Sequence, residues 1–248
     1  MTDPSEGMEK ASASEIVEWA TERFGSKAAF ACSFGAEDMV VLDLIARARP
    51  RDRGAIRWFT LDTGRLFEET YELMQTARRR YGLPLEVYTP EASELEPLLA
   101  QGGPNLFYES VANRKACCQV RKVAPLARAL RDSEAWIVGL RREQSTDRAS
   151  VEKVSRDPMH RNIWKICPLA DWSDTEVQEY LSARKIPTNP LHAKGFLSIG
   201  CAPCTRAVAP GEDPRSGRWW WETGAKECGL HHTLGAGESP APTPSGRT

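Results

Sequence analysis

The chain carries seven cysteines, at positions 32, 117, 118, 167, 201, 204 and 228, and their clustering is the first sign of chemistry. Cys201-Ala202-Pro203-Cys204 is a C-x-x-C pair, a spacing shared by zinc sites, dithiol redox motifs and iron–sulfur clusters. The adjacent pair Cys117-Cys118 brings the set to four thiolates, enough for a tetrahedral zinc or a 4Fe–4S cube. Neighbouring residues on a helix diverge by about 100°. Ligands that diverge in this way suit separate irons of a cube better than one small ion. Cys228 stands apart, in Lys226-Glu227-Cys228-Gly229-Leu230-His231. A thiol attacks only as thiolate, and Lys226, His231 and His232 are neighbours that lower a thiol pKa if the fold brings them close. Taken alone Cys228 is an ordinary surface cysteine, and its reading as a nucleophile depends on the rest of the chain. Cys32 and Cys167 read as buried strand or strand-end residues.

Several cations are spaced to meet an anion. Lys122 lies four residues after Cys118, on the same face of a helix. Arg141, Arg142 and Arg148 follow a strand, and Arg215 and Arg218 stand in a Gly-containing segment near the C-terminus. Singly these are surface charges; converging on one sheet edge they suit a dianionic ligand. The turn Ser33-Phe34-Gly35-Ala36 offers backbone N–H groups at a helix start, with Gly35 allowing close approach. Glu37 and Asp38 beside it must then face away or act as N-caps. Trp219-Trp220-Trp221 reads as an anchor for a loop on a core rather than as a base-stacking surface.

The elements that position these residues alternate. Ser12 and Glu15 form a capping box for a helix ending at Gly25, Ala28–Cys32 is a short buried strand, and a helix spans about Asp38–Ala48. A strand Ile56–Leu61, a helix from about Phe67 to Tyr81 stopped by Gly82, and a strand Leu85–Tyr88 follow. Ser93 and Glu96 suggest a cap for a short helix broken at Gly102-Gly103-Pro104. A helix then carries Cys117 through Leu130, bent or interrupted by Pro125. Ala135–Leu140 is a strand, Arg141–Asp157 a charged loop, Ile163–Ile166 a strand, and Ser173 with Glu176 caps a last helix. This alternation predicts an α/β fold with a mostly parallel sheet flanked by helices, and ligands at the carboxyl ends of its strands.

Composition narrows the class. With 248 residues, 41% hydrophobic and a net charge of −1, the chain suits a single large core and carries no electrostatic footprint for nucleic acid or an anionic membrane. No apolar run reaches membrane-spanning length and Met1–Lys10 does not read as a signal peptide, so a cytoplasmic location is expected. The expected organisation is a flexible N-terminus over 1–13, an α/β domain over 14–208, a mobile segment over 209–234 and a disordered Gly/Pro/Ser-rich tail over 235–248.

Taken together, Ser33-Phe34-Gly35-Ala36-Glu37-Asp38, Leu61-Asp62-Thr63-Gly64-Arg65, Cys117-Cys118-Gln119-Val120-Arg121-Lys122, Gly139-Leu140-Arg141-Arg142-Glu143-Gln144-Ser145, Cys201-Ala202-Pro203-Cys204 and Glu227-Cys228-Gly229-Leu230-His231 resemble the assimilatory sulfonucleotide reductases, specifically the bacterial adenosine 5′-phosphosulfate (APS) reductases. The resemblance covers about residues 14 to 232. It implies an adenine-nucleotide α-hydrolase-like fold with the Ser33 turn as a modified pyrophosphate loop. It implies a 4Fe–4S cluster on Cys117, Cys118, Cys201 and Cys204, with Cys228 as the catalytic thiol and thioredoxin as the electron donor. Ser33, Phe34, Gly35, Leu61, Thr63, Gly64, Gly139 and Arg141 are then substrate-binding residues, with Lys122, Arg148, Arg215 and Arg218 facing the phosphosulfate. The alternatives are a reductase for the 3′-phosphorylated nucleotide, an ATP-hydrolysing ligase and a zinc-stabilised binding module; a homo-oligomer is left open.

Overall fold

The computed structural model describes residues 5–48, 54–145, 148–223 and 230. Among these, six strands form one sheet in the order β3-β2-β1-β4-β6-β5. They are β1 (Ala28–Ala31), β2 (Arg57–Leu61), β3 (Leu85–Tyr88), β4 (Ala135–Ile137), β5 (Val154–Asp157) and β6 (Ile163–Ile166). All pairings are parallel except that of β5 with β6. The predicted α/β class with a mostly parallel, helix-flanked sheet is therefore the one observed. The strands alternate between two cores, as a period of two requires. Phe30, Trp58, Ile137 and Ile166 face α1 (Ala13–Phe24), α2 (Ala36–Arg47), α3 (Glu68–Tyr81) and α7 (Asp174–Ala183) on one side. Ala29, Phe59 and Trp136 face the residues of α6 (Ala124–Ala129) on the other.

Both predicted capping boxes form: Ser12 with Glu15 starts α1 and Ser173 with Glu176 starts α7, and Gly82 ends α3 with a left-handed φ of 63°. Three local expectations are corrected. α4 (Ala92–Gly102) begins ahead of Ser93, with Glu91 at its N-cap and no side-chain cap. The strand expected over Ala135–Leu140 ends at Ile137, because the chain at Val138–Leu140 leaves the ladder to approach α2, although the Val138 N–H still reaches Ile166 O at 3.0 Å. The charged loop contains β5, an edge strand whose ends are buried and whose middle is not.

The helix through the adjacent cysteines starts earlier than expected, as α5 (Val111–Cys118), capped by Ser110. A π-helical turn over Gln119–Val123 then joins it to α6. Pro125 cannot donate to the preceding turn, and it sits in the first residues of α6, just after the wider segment. The result is one near-continuous rod that carries Cys117, Cys118, Arg121 and Lys122 along the sheet.

Candidate active site

A cavity of about 530 Å³ opens at the carboxyl ends of β1, β2 and β4, where the chain leaves the central strand in opposite directions. Its apolar wall includes Phe59, Leu61, Leu126, Trp136 and Val138. At the end of β1, Phe34 adopts φ 62° and buries its ring against Trp58, which turns Ser33 and Gly35 toward the cavity. The Ser33 N–H and hydroxyl both donate to Asp38 Oδ2, at 2.6 and 2.7 Å. Burial pushes the Asp38 carboxyl up to about 6, against the lowering effect of the Ser33 and Gly139 donors. Gly139, just past β4, comes so close that a Cβ there would lie 2.5 Å from Asp38 Oδ1 and 3.1 Å from its backbone nitrogen. Asp38 thus ties the loops after β1 and β4 together. The N-cap role is left to Gly35, without a side-chain bond.

The cations divide into two sets. Arg141 is 3% exposed and lines the cavity, but its guanidinium is held by Glu37 Oε1 at 2.8 and 2.9 Å, by Asp174 and by the Trp172 carbonyl. Its charge is compensated by protein carboxylates. Lys122, Arg148, Arg215 and Arg218 also line the cavity. Arg148 donates to Gln144 Oε1 at 2.5 Å. Arg218 is buried against Trp219, 4.8 Å from the ring centroid, and a Cβ on Gly200 would fall 2.3 Å from its Nη2, so the glycine makes room for the guanidinium.

Cys117, Cys118, Cys201 and Cys204 are free and buried in one cluster with Phe107 and Trp219. Burial raises Cys117, with Arg121 and Lys122 opposing, and pushes Cys204 up to about 12. For Cys201 burial is outweighed by Lys122, the Thr63 hydroxyl 3.3 Å from its Sγ, Arg218 and Arg121, and its pKa falls. Among the described residues no group of three or more His, Cys, Asp or Glu side chains is arranged to hold a metal ion. The donor set nonetheless fits a thiolate-bound centre. The indole N–H groups of Trp219 and Trp221 and the Arg218 Nε are buried and have no hydrogen-bond partner among the described residues, and the two tryptophans pack at the thiols. A sulfide-bearing anionic group would supply acceptors to such donors.

Of the residues singled out in the sequence, Ser33, Gly35, Leu61, Thr63, Lys122, Gly139, Arg141, Arg148, Arg215 and Arg218 share the cavity wall. Phe34 does not line it, since its ring is in the core. Gly64 does not either: it is exposed, with its N–H on Asp62 Oδ1. Cys228, Lys226, His231 and His232 lie outside the described residues, as does the 235–248 tail; Leu230, two residues after Cys228, lines the cavity. Of the tryptophan run expected to anchor a loop, Trp219 is 1% exposed and Trp221 packs partly against the same cluster, whereas Trp220 is 40% exposed. Sequence reasoning missed Asp38 as the link between loops, Thr63 as a partner of Cys201, and Arg121, which joins Cys117 to the Thr63 carbonyl at 2.5 Å. Only Arg121 left a signal, standing four residues after Cys117.

Strand ends at a topological switch, a tight turn at a helix start and a cationic wall define a nucleotide-binding α/β protein with a buried thiol centre beside its cavity. The phosphoadenosine phosphosulfate reductase domain model matches residues 27–207, and the chain belongs to that family. It is 48% identical over 217 residues to the adenosine 5′-phosphosulfate reductase of Allochromatium vinosum, covering 87% of this chain and 83% of that one. It is 49% identical over 209 residues to the protein of the same name from Burkholderia cepacia, covering 84% and 81%. A crystal structure of phosphoadenylyl-sulfate reductase from Candida auris, a phosphate complex, superposes with a TM-score of 0.69 at 25% identity over 82% of this chain and 94% of that chain.

Proposed function

We propose that the chain reduces adenosine 5′-phosphosulfate to sulfite and AMP, with thioredoxin as electron donor. The observation that carries this reading is a shared wall: Thr63, Lys122, Arg218 and Trp219 line the cavity and also bound the four thiols. Adenosine is placed over the apolar strand ends near Leu61, and the phosphosulfate at Lys122, Arg148, Arg215 and Arg218. Cys228 is the nucleophile. Leu230 on the cavity wall supports this, because two residues of chain span at most about 7 Å.

The Cys228 thiolate attacks the sulfur, the S–O bond to AMP breaks with its electron pair leaving on the phosphate, and the wall cations stabilise that charge. The enzyme then carries Cys228 S-sulfonate. A thioredoxin thiolate attacks the Cys228 sulfur and releases sulfite, and the second thioredoxin thiol resolves the mixed disulfide. Two thiols become a disulfide while sulfur gains two electrons, so the step balances. Cys117, Cys118, Cys201 and Cys204 would hold a 4Fe–4S cluster, which supplies a fixed structural and electrostatic centre beside the phosphosulfate site. Among the described residues no helix is long and apolar enough to cross a membrane.

The test is kcat/KM with thioredoxin for APS and for its 3′-phosphorylated form, on anaerobically purified protein assayed for iron and sulfide. A preference for APS and about four irons per chain are expected. A preference for the 3′-phosphorylated nucleotide would move the assignment to that substrate, and one zinc per chain would remove the cluster.

A further inference from the structure

Glu9 belongs to a single 3-10 turn, Met8–Lys10, that precedes α1. Met8 and Ala11 pack against the core on the α1 side of the sheet, which fixes this turn on the body of the protein. From there the Glu9 carboxylate reaches two points far along the chain. Its Oε2 accepts from Arg142 Nη2 at 2.7 Å, 133 residues away, and its Oε1 accepts from the Lys153 N–H at 2.6 Å, 144 residues away. Arg142 Nε also donates to the Val151 carbonyl at 2.8 Å, so Glu9, Arg142 and the Val151–Lys153 backbone close a ring. An exposed ion pair alone contributes little, and the Glu9 side chain is half exposed. A buried cation reinforces it: the Lys153 side chain is 3% exposed, and its Nζ meets the Ala11 carbonyl at 2.8 Å and Asp171 Oδ2 at 2.7 Å. A buried ammonium needs such partners, and the N-terminal segment supplies one of the two.

Between the two points that Glu9 holds, the chain places Gln144 and Arg148 on the cavity wall. Gln144 Nε2 donates to the Gly139 carbonyl at 3.2 Å, and its Oε1 accepts from the Arg141 N–H at 3.1 Å and from Arg148 Nη1 at 2.5 Å. The Arg148 backbone is bonded on both sides, its N–H to Ser145 O at 3.0 Å and its carbonyl to the Val151 N–H at 2.9 Å. Arg148 is therefore reached from both anchors, through the Arg142–Gln144 turn and through Val151. Glu9, Arg142 and Lys153 do not line the cavity, so ligand contact does not explain the arrangement. We infer that Glu9 is a positioning residue for Arg148, which makes the N-terminal turn part of the support for the anion end of the site. This rests on the function proposed above, which sets the phosphosulfate at Arg148. A guanidinium whose backbone and rotamer are held before binding loses less freedom when the anion arrives, and that saving appears as affinity.

The test is a double-mutant cycle on the full chain, read as calorimetric affinity for ADP and for adenosine. In ADP the β-phosphoryl group stands where APS carries its sulfonate and offers no sulfur for a thiolate to attack, so binding is read without turnover. Glu9→Ala should raise the Kd for ADP about fivefold and that for adenosine less than about twofold. Lys153→Met, which removes the second tie and leaves no buried ammonium unpaired, should do the same. Arg148→Ala should weaken ADP at least as much. Adding Glu9→Ala to it should then change the Kd by less than about twofold, because a residue that acts through Arg148 has nothing left to position. Wild-type ADP affinity in Glu9→Ala or Lys153→Met, an equal loss for ADP and adenosine, or effects that add in the double variant would overturn the positioning role while leaving the proposed reaction intact. Wild-type ADP affinity in Arg148→Ala would remove the phosphosulfate from that side of the cavity, and the positioning role with it.

Discussion

Asp38 sits where an anion is to be received, yet its carboxylate faces the protein's own Ser33 and the approach of Gly139. Its pKa is raised to about 6, chiefly by burial. A raised carboxyl pKa contributes stability that is full below the unfolded value near 4 and is lost as pH rises through about 6. Urea midpoints should therefore fall with pH across that window in wild type, and Asp38→Asn should lack that part of the slope. Function should move the other way, since the ionised carboxylate accepts more strongly from the two Ser33 donors and the Gly139 backbone than the protonated acid does. AMP affinity by calorimetry should drop as pH falls through about 6 in wild type, while Asp38→Asn should be weak, by about tenfold, and flat. A normal affinity in Asp38→Asn would show that the link between the two loops does not shape the site. Nothing in the local sequence announces this link, because Gly139 stands 101 residues away; separations of 104 and 33 residues likewise hide the capture of Arg141 by Glu37 and Asp174. The cysteine pairs were legible because their spacing is itself the signal.

Among the elements, most of those whose instructions are local are legible in the sequence, the cap expected from Ser93 and Glu96 being the exception. The capping boxes at Ser12 and Ser173, the glycine stop at Gly82 and the strand Leu85–Tyr88 each follow from a few adjacent residues. β5 was not, since Val154-Ser155-Arg156-Asp157 is short and charged and becomes a strand only by pairing with β6. Similarly, the segment after Ile186 shows no periodicity and takes its order from contacts. Its key tie is the bridge between Thr205 and Arg218. Gly217 faces that bridge so closely that a Cβ would lie 2.4 Å from the Arg206 carbonyl oxygen, a backbone atom that cannot move aside. Gly217→Ala should cost about 1–3 kcal/mol in urea unfolding. It should also displace Arg218 and Trp219, so that iron content falls and KM for APS rises together. An unchanged iron content at reduced stability would separate this loop from the thiol centre.

At the scale of the molecule, the parallel sheet converts sequence distance into proximity. Its central strands end at one edge, so the turn at Ser33, the strand end at Leu61 and the glycine at Gly139 meet around one cavity. The α5–α6 rod and the Cys201–Trp219 segment close that edge with thiols on one side and cations on the other. The fold class was legible in the alternation of strands and helices, whereas the shared wall between cavity and thiols was not, because it is made by side chains from three separate stretches, at Thr63, Lys122 and Arg218-Trp219. On the proposed reaction, this wall delivers the sulfonate of APS to Cys228. That delivery is tested most directly by a single-turnover reaction with sulfur-labelled APS in the absence of thioredoxin, followed by mass analysis of the Cys228 peptide. Labelled sulfonate is expected on Cys228, with its release as sulfite when reduced thioredoxin is added; label on another residue, or on none while AMP is formed, would rule out transfer to Cys228.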